Sequence, residues 1–342
     1  MDLYLDSVDF EEIEQAFALG FLTGLTTTPT FMHKHGITDV DGAIVKLSKM
    51  VPELQVEALG NTHDEIVAEA DRLLDLPLDV EPVFKVPISQ EGVRACNTLT
   101  KRGHRVNVHL IYTLNQAYIA MAAGAAFVCP LAGRLQDQGH DANALFQQCV
   151  NVVEKYNYAT KIMFSSVRHP EHVRQALISG AHVCTVPWGV MRALSQNALT
   201  TVGTNQFLEH TRLMTVRVKE VIREQNPLCN AGDKVSDALL KMTESRLGAV
   251  TLADDNGGLL GVFTDGDLRR NLQSHGPDIG EKTLGELGFS ENPVAIEAGA
   301  LLYDAMRKFE ESQVDTIIVM EKGKPVGILD IQDIVGQDLF GS

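Results

Sequence analysis

Cysteine is scarce and scattered. There are five in 342 residues, Cys96, Cys129, Cys149, Cys184 and Cys229, an odd number with no C-x-x-C spacing. That argues against a disulfide framework and fits a reduced, cytoplasmic chain. Histidines such as His33, His35, His104 and His109 pair with no cysteine in a zinc pattern, so no metal site is expected. Basic charge is in deficit, 29 Lys+Arg against 45 Asp+Glu for a net charge of −16, which argues against nucleic acid or an anionic membrane as the main partner. The deficit is even: residues 1–210 carry 15 basic and 23 acidic side chains, the remainder 14 and 22, so each part nets −8 and no acidic tail exists. Long apolar runs are missing too. The longest, 119–130, is interrupted by Gly124 and is too short to span a bilayer, and the opening MDLYLD lacks the basic region of a signal peptide. No G-x-G-x-x-G follows a strand-like run, so an open doubly wound nucleotide-binding sheet is disfavoured. What is present, 44% hydrophobic and 22% charged residues, suffices for a sizeable core and about two domains.

Short strand-type runs alternate with helix-period segments over the first 200 residues. The strand candidates are 3–7, 24–29, 54–60, 83–89, 105–113, 125–133, 161–168 and 182–189. Amphipathic segments at 63–76, 90–103, 143–157 and 170–180 lie among them. Gly103, Gly124 and Gly180 close several of these, as helix C-caps tend to. Eight strands with helices between them predict an α/β fold, a (β/α)8 TIM barrel over residues 1–212.

After about residue 212 the rhythm changes. AVTLADDNGGLLGVFTDGDL (249–268) repeats as DTIIVMEKGKPVGILDIQDI (315–334), with Gly257, Gly261 and Asp267 answered by Gly323, Gly327 and Asp333. Each copy reads as helix, strand, tight turn, strand, helix, and two copies can bury faces that one would leave exposed. The expected limits are 217–275 and 281–340 within a module of 217–342.

Barrels place their chemistry at the C-terminal ends of the strands. Those positions include Asp6, Thr26, Thr28, Glu57, Lys85, His109, Arg134, Ser166 and Arg168. A Lys pointing into an apolar barrel loses proton affinity by desolvation, and a neutral amine is the nucleophile that condenses with a ketone to a Schiff base. The plain alternative is a lysine whose stem packs while its head reaches solvent. Asp6 and Glu57 can divide proton transfers, one carboxyl held low beside the lysine and one raised by burial. Asp6-Ser7 could instead simply cap the next helix. Arg134, Arg168 and Ser166 suit a phosphate, or the arginines form salt bridges between strands.

These residues resemble the transaldolase family, particularly its short branch that includes fructose-6-phosphate aldolase. The matching pieces run in order: LYLDS, TTTPT, FKVPIS, PLAGRL, SSVRHP and LTTVGTNQFLEH. The resemblance implies Lys85 as Schiff-base nucleophile, Asp6 as acid/base, Glu57 as a holder of the catalytic water, and Arg134, Ser166 and Arg168 as phosphate contacts. It implies no cofactor for catalysis and a sugar-phosphate substrate. Three positions depart from the family pattern: Thr28 replaces an Asn that contacts substrate, Leu131 replaces an aromatic, and His109 replaces a Thr and could itself be an acid/base.

The repeat resembles a tandem pair of CBS domains, GVFTDGDL matching the family's nucleotide motif. That resemblance implies an adenine nucleotide regulator at Thr264 and Asp267. In the second copy Asp333 is kept but Asp330 stands where Thr or Ser is usual, and a carboxylate there would repel a phosphate. Both resemblances imply a homo-oligomer. Two readings follow: a Schiff-base transaldolase or aldolase on a phosphorylated ketose with a nucleotide-sensing pair, or an inactive barrel kept as a ligand-binding or scaffold module beside an assembly domain.

Overall fold

A computed structural model describes residues 1–335, so the last part of the second expected repeat, 336–340, lies outside the described residues. The chain divides into two compact units, Met1–Gln196 and the residues from Asn197 on.

The first unit is a closed parallel barrel of eight strands: β1 (Asp2–Asp6), β2 (Gly24–Thr26), β3 (Leu54–Glu57), β4 (Val83–Pro87), β5 (Val106–Ile111), β6 (Phe127–Pro130), β7 (Lys161–Phe164) and β8 (Val183–Val186). Each pairs with the next, and β1 returns to β8 with Leu3 opposite Cys184. Parallel strands covered by helices are buried on both faces, which is why they read as continuous apolar runs. Outward residues Leu5, Leu25, Val56, Phe84 and Val108 join one core with helix residues such as Ile66, Leu73 and Leu99. Each such side chain contributes about 1.5–3 kcal/mol on full burial.

The helices start where local signals put them. Thr62 and Thr113 form capping boxes with Glu65 and Gln116, and Ser89 caps the helix Gln90–Lys101. Most strands stop two to four residues before the expected ends, and the residues beyond become the loops of the barrel mouth. The suggested cap at Asp6 is corrected. Asp9 caps Phe10–Phe17, its Oδ1 accepting from the Glu11 and Glu12 N–H groups at 2.9 and 3.0 Å. Asp6 ends β1 and is left available to the barrel interior.

The interior is stratified. Its floor is apolar, formed by Tyr4, Val83, Phe127, Met163 and Val183 with Cys129 above. Gly24 is required here, since a Cβ would lie 2.5 Å from the Tyr4 ring.

The second unit contains the repeat. One copy has the sheet order β11 (Leu259–Thr264), β10 (Ala249–Ala253), β9 (Leu228–Cys229). The other has β12 (Ala295–Glu297), β13 (Thr316–Glu321), β14 (Lys324–Asp330). Helices Val235–Ser245 and Asp265–His275 flank the first pair, and Leu302–Ser312 and Ile331–Val335 the second. The turn glycines Gly257 and Gly323 share a φ of +78°, a conformation other residues adopt only with strain. Leu247, Ala249, Val262, Ile318 and Ile328 form a shared cluster between the copies, the burial that a single copy would lack. The short strands β9 and β12 were not expected, because two or three residues carry no readable alternation. Helix Ala198–Thr215 has no buried residue, and its end delivers Leu213 to the core of the second copy.

Candidate active site

The inward positions of the barrel follow the two-residue period of a strand, and the register aligns them. Asp6 stands opposite Thr26, Thr26 opposite Gln55, Glu57 opposite Lys85, and His109 opposite Cys129. Above the apolar floor comes a polar layer in which Asn107 donates to Gln55 Oε1 at 2.6 Å. Above that lie the ionisable groups, at the C-terminal ends of the strands.

Lys85 is only 5% exposed. Its Nζ lies 3.0 Å from Glu57 Oε1 and donates to the Thr27 carbonyl at 2.7 Å. The surroundings are therefore not simply apolar, as the sequence suggested, but paired. Glu57 Oε2 lies 3.0 Å from His109 Nε2, and neither atom has another partner. On the other side, Asp6 accepts from Thr26 Oγ1 at 2.8 Å, and Thr26 in turn meets Thr185 of β8.

The two carboxyls are driven apart. Burial pushes Asp6 above its ordinary range, against the pull of the Lys85 charge and the Thr26 bond. Burial also works to raise Glu57, but His109 and Lys85 outweigh it and hold the group low. His109 is pushed below the usual histidine range by burial, with Glu57 pulling the other way. Cys129 is pushed up to about 11 by burial, so it is a thiol and a poor nucleophile here. An amine beside a low carboxylate and opposite a raised carboxyl is an arrangement for adding to a carbonyl and moving protons around the adduct.

Backbone strain marks the same end of the barrel. Leu110 in β5 and Ser166 after β7 have φ of +59°, and the ladder between β5 and β6 shifts register between His109 and Ile111. Gly133 allows the Ser166 loop to approach, since a Cβ would lie 2.3 Å from the Ser166 carbonyl.

The remaining expected residues are partly engaged. Arg134 is exposed and donates to the Tyr112 hydroxyl at 3.4 Å. Arg168 forks onto Asp137, with Nη2 2.6 Å from Oδ2, so its guanidinium is paired in the absence of an anion. The Thr28 hydroxyl caps helix Pro29–Lys34 by accepting from Phe31 N–H at 3.3 Å. Leu131 precedes helix Ala132–Asp137 and is buried. Thr185 was missed. Its only signal is a hydroxyl at an inward position of the apolar strand VCTV.

In the second unit Thr264 and Asp267 form a capping box on helix Asp265–His275. Thr264 Oγ1 donates to Asp267 Oδ2 at 2.7 Å, and Asp267 pairs with Arg270. The second copy differs. Asp330 accepts from Gln332 N–H at 2.8 Å, and Asp333 is held by Arg223, whose Nη2 lies 2.8 Å away. Arg223 also donates to the Ser245 carbonyl at 3.0 Å, tying the copies together. Among the described residues no cluster of His, Cys, Asp and Glu could hold a metal ion, and no helix is long and apolar enough to cross a membrane.

Comparison with known proteins gives two family matches. The model of the transaldolase/fructose-6-phosphate aldolase family matches residues 3–243, and the CBS-domain model matches residues 218–274 and 284–338. Curated relatives named probable transaldolase include one from Desulforudis audaxviator, 37% identical over 210 residues, 61% of this chain and 96% of that protein. Another, from Dehalococcoides mccartyi, is 36% identical over 210 residues, again 61% of this chain and 96% of that protein. Among solved structures, a CBS-domain-containing protein from Agrobacterium tumefaciens covers 35% of this chain and 91% of its own, with 21% identity and a TM-score of 0.32.

Proposed function

The chain belongs to the transaldolase/fructose-6-phosphate aldolase family and carries a tandem pair of CBS domains, and from that premise we propose a Schiff-base reaction on a phosphorylated ketose. Residues 1–212 act as the catalytic module and 217–342 as the regulatory one. The observation that supports the chemistry most is Lys85, sealed in the barrel 3.0 Å from Glu57 and electrostatically coupled to Asp6.

Lys85 Nζ, as the amine, adds to the ketose carbonyl to give a carbinolamine, which loses water to give an iminium. Asp6 as carboxylate then takes the proton of the hydroxyl on the carbon β to the iminium. The C–C bond breaks, an aldehyde leaves, and its bonding electrons move into the iminium to form an enamine. In the synthetic direction Asp6 returns that proton to the new hydroxyl. A carboxyl raised by burial suits both roles better than an ordinary one. The substrate phosphate would reach Arg134, Ser166 and the Arg168 guanidinium, displacing Asp137 as its partner. No cofactor enters these steps. In the CBS pair, an adenine nucleotide would bind at Thr264 and Asp267, and Arg223 stands against the equivalent use of Asp333. The five unpaired, buried cysteines support a reduced compartment.

Borohydride reduction with a panel of ketose phosphates tests the reading. The expected result is a covalent mass gain mapped to Lys85. No gain with any donor would leave the barrel as a ligand-binding or scaffold module.

A further inference from the structure

An amine flanked by carboxylates has to hand on a proton before it can attack a carbonyl, and that proton needs somewhere to go. Water is a poor answer at a side chain that is 6% exposed. Glu57 offers a route, because its two oxygens face different groups: Oε1 lies 3.0 Å from Lys85 Nζ and Oε2 lies 3.0 Å from His109 Nε2. The side chains of Glu57 and His109 are 6% and 11% exposed. Oε2 and Nε2 face each other at that 3.0 Å distance, and neither has another hydrogen-bond partner. The backbone is bent to make this contact. The register shift after His109, with Leu110 at positive φ, leaves the ring at the mouth while Ile111 turns out into the core. The charged and titratable groups facing the ring are Glu57 on β3, Lys85 on β4, Cys129 on β6 and Arg134 beyond β6.

We propose that His109 is the proton store for Schiff-base formation, taking the Lys85 ammonium proton through Glu57 and returning it when the carbinolamine loses water. The proposal rests on the Schiff-base reading. Its steps balance. The Lys85 ammonium gives its proton to Glu57 Oε1, rotation of the carboxyl about Cγ–Cδ carries that O–H to the His109 side, and the same proton passes to Nε2 of the neutral imidazole. This leaves a neutral amine, a carboxylate and an imidazolium. The amine adds to the ketone, forming the N–C bond and, after transfer of an N–H proton to oxygen, a neutral carbinolamine. The imidazolium proton then returns by Glu57 to the carbinolamine hydroxyl, the C–O bond breaks, and water leaves with the iminium in place. Overall an ammonium and a ketone become an iminium and water, with Glu57 and His109 restored. His109 touches no substrate atom in this scheme. It is a positioning residue that acts through Glu57.

The test is the rate of borohydride-trappable adduct formation against pH in the full chain, for wild type, His109→Gln and His109→Ala with and without imidazole. At low pH a resting imidazolium cannot accept the lysine proton, so wild type should show an acid limb in this rate. His109→Gln should form adduct about 10²-fold more slowly, with KM little changed and that limb gone. Imidazole should restore speed to His109→Ala. Adduct formation by His109→Gln at the wild-type rate with the same acid limb would overturn the proton store while leaving Lys85 chemistry standing. If wild type itself traps nothing, the Schiff-base reading fails instead. Melting curves of both variants separate a folding defect from a lost proton path, and His109→Ala slow but unresponsive to imidazole also counts against the proposal.

Discussion

The two candidate sites of this chain are built by opposite means. In the barrel, Asp6, Glu57, Lys85 and His109 come from four strands and meet only because closure brings their inward positions together, with Glu57 opposite Lys85 in the register. In the CBS pair, Thr264 and Asp267 are three residues apart and meet in one helical turn. The first site is buried and its groups shift one another's proton affinity. In the second, the Asp267 side chain is 15% exposed and its main task in the free protein is to cap a helix. A site assembled from distant strands should therefore respond to substitution mainly in reactivity, and a site made from one turn mainly in local stability.

The sharpest break of that contrast is Lys85→Met, which should remove both turnover and the trapped adduct entirely. Breaking a buried ion pair leaves Glu57 uncompensated, a loss of about 3–5 kcal/mol unless the carboxyl takes up a proton. Thermal melts at neutral and acid pH would show that uptake as a gap that narrows on acidification.

Asp6→Asn comes next and should divide the two halves of the reaction. Adduct at Lys85 should still form, while C–C cleavage falls about 10²–10⁴-fold. Stability should move the other way. The folded-state pKa of Asp6 is raised, so the native protein binds the proton more tightly than the unfolded chain does. That contribution is fully present below the ordinary Asp value of 3.8 and is lost as pH rises through the folded value. At pH 7 the burial that raises the Asp6 carboxyl costs stability, and Asn removes that cost. The variant should melt higher than wild type at neutral pH, and the difference should shrink at low pH. An Asp6→Asn protein that melts lower at neutral pH would mean the Thr26 bond outweighs desolvation.

The same contrast governs what could be read in advance. Strand number, barrel closure and the repeat were legible because each rests on periodicity or on a local cap such as Thr62-x-x-Glu65. The residues Lys85, Glu57 and Asp6 were legible as charged groups ending apolar strands. The contacts between them were not, since register decides whether Glu57 meets Lys85, and register comes from the whole barrel. Thr185 was invisible for that reason: one hydroxyl in an apolar strand means nothing until β8 lies beside β1. Asp6 as a helix cap was a local reading defeated by a better local competitor, Asp9. The pairing of Arg168 with Asp137 was an open alternative that only side-chain geometry could decide.

Between the two copies of the repeat the contrast is smaller. Arg223→Ala removes two bonds to Asp333 of the second copy and two to the Ser245 and Arg246 carbonyls of the first, so the link between the copies is lost. The loss should be about 1–3 kcal/mol, read as a lower melting transition of the second unit with barrel turnover unchanged. A nucleotide panel in the same format should give a shift that Asp267→Ala abolishes.

The smallest effect is the most discriminating for a site built from one turn. Thr264 Oγ1 accepts from Asp267 N–H at 3.3 Å and donates to Asp267 Oδ2 at 2.7 Å. Thr264→Ala deletes both, and a lost N-cap costs about 0.5–2 kcal/mol. Thr264→Ser keeps the hydroxyl and should melt within a few tenths of a kcal/mol of wild type, because Ser caps at least as well as Thr. If the hydroxyl serves only the cap, a nucleotide should shift both variants equally once their own melting points are taken as the baseline. If it also holds a ribose, Thr264→Ala should lose the ligand shift beyond its loss of stability while Thr264→Ser keeps it. Capping and recognition then share one oxygen, and binding at this turn is coupled to the stability of the helix that the turn begins.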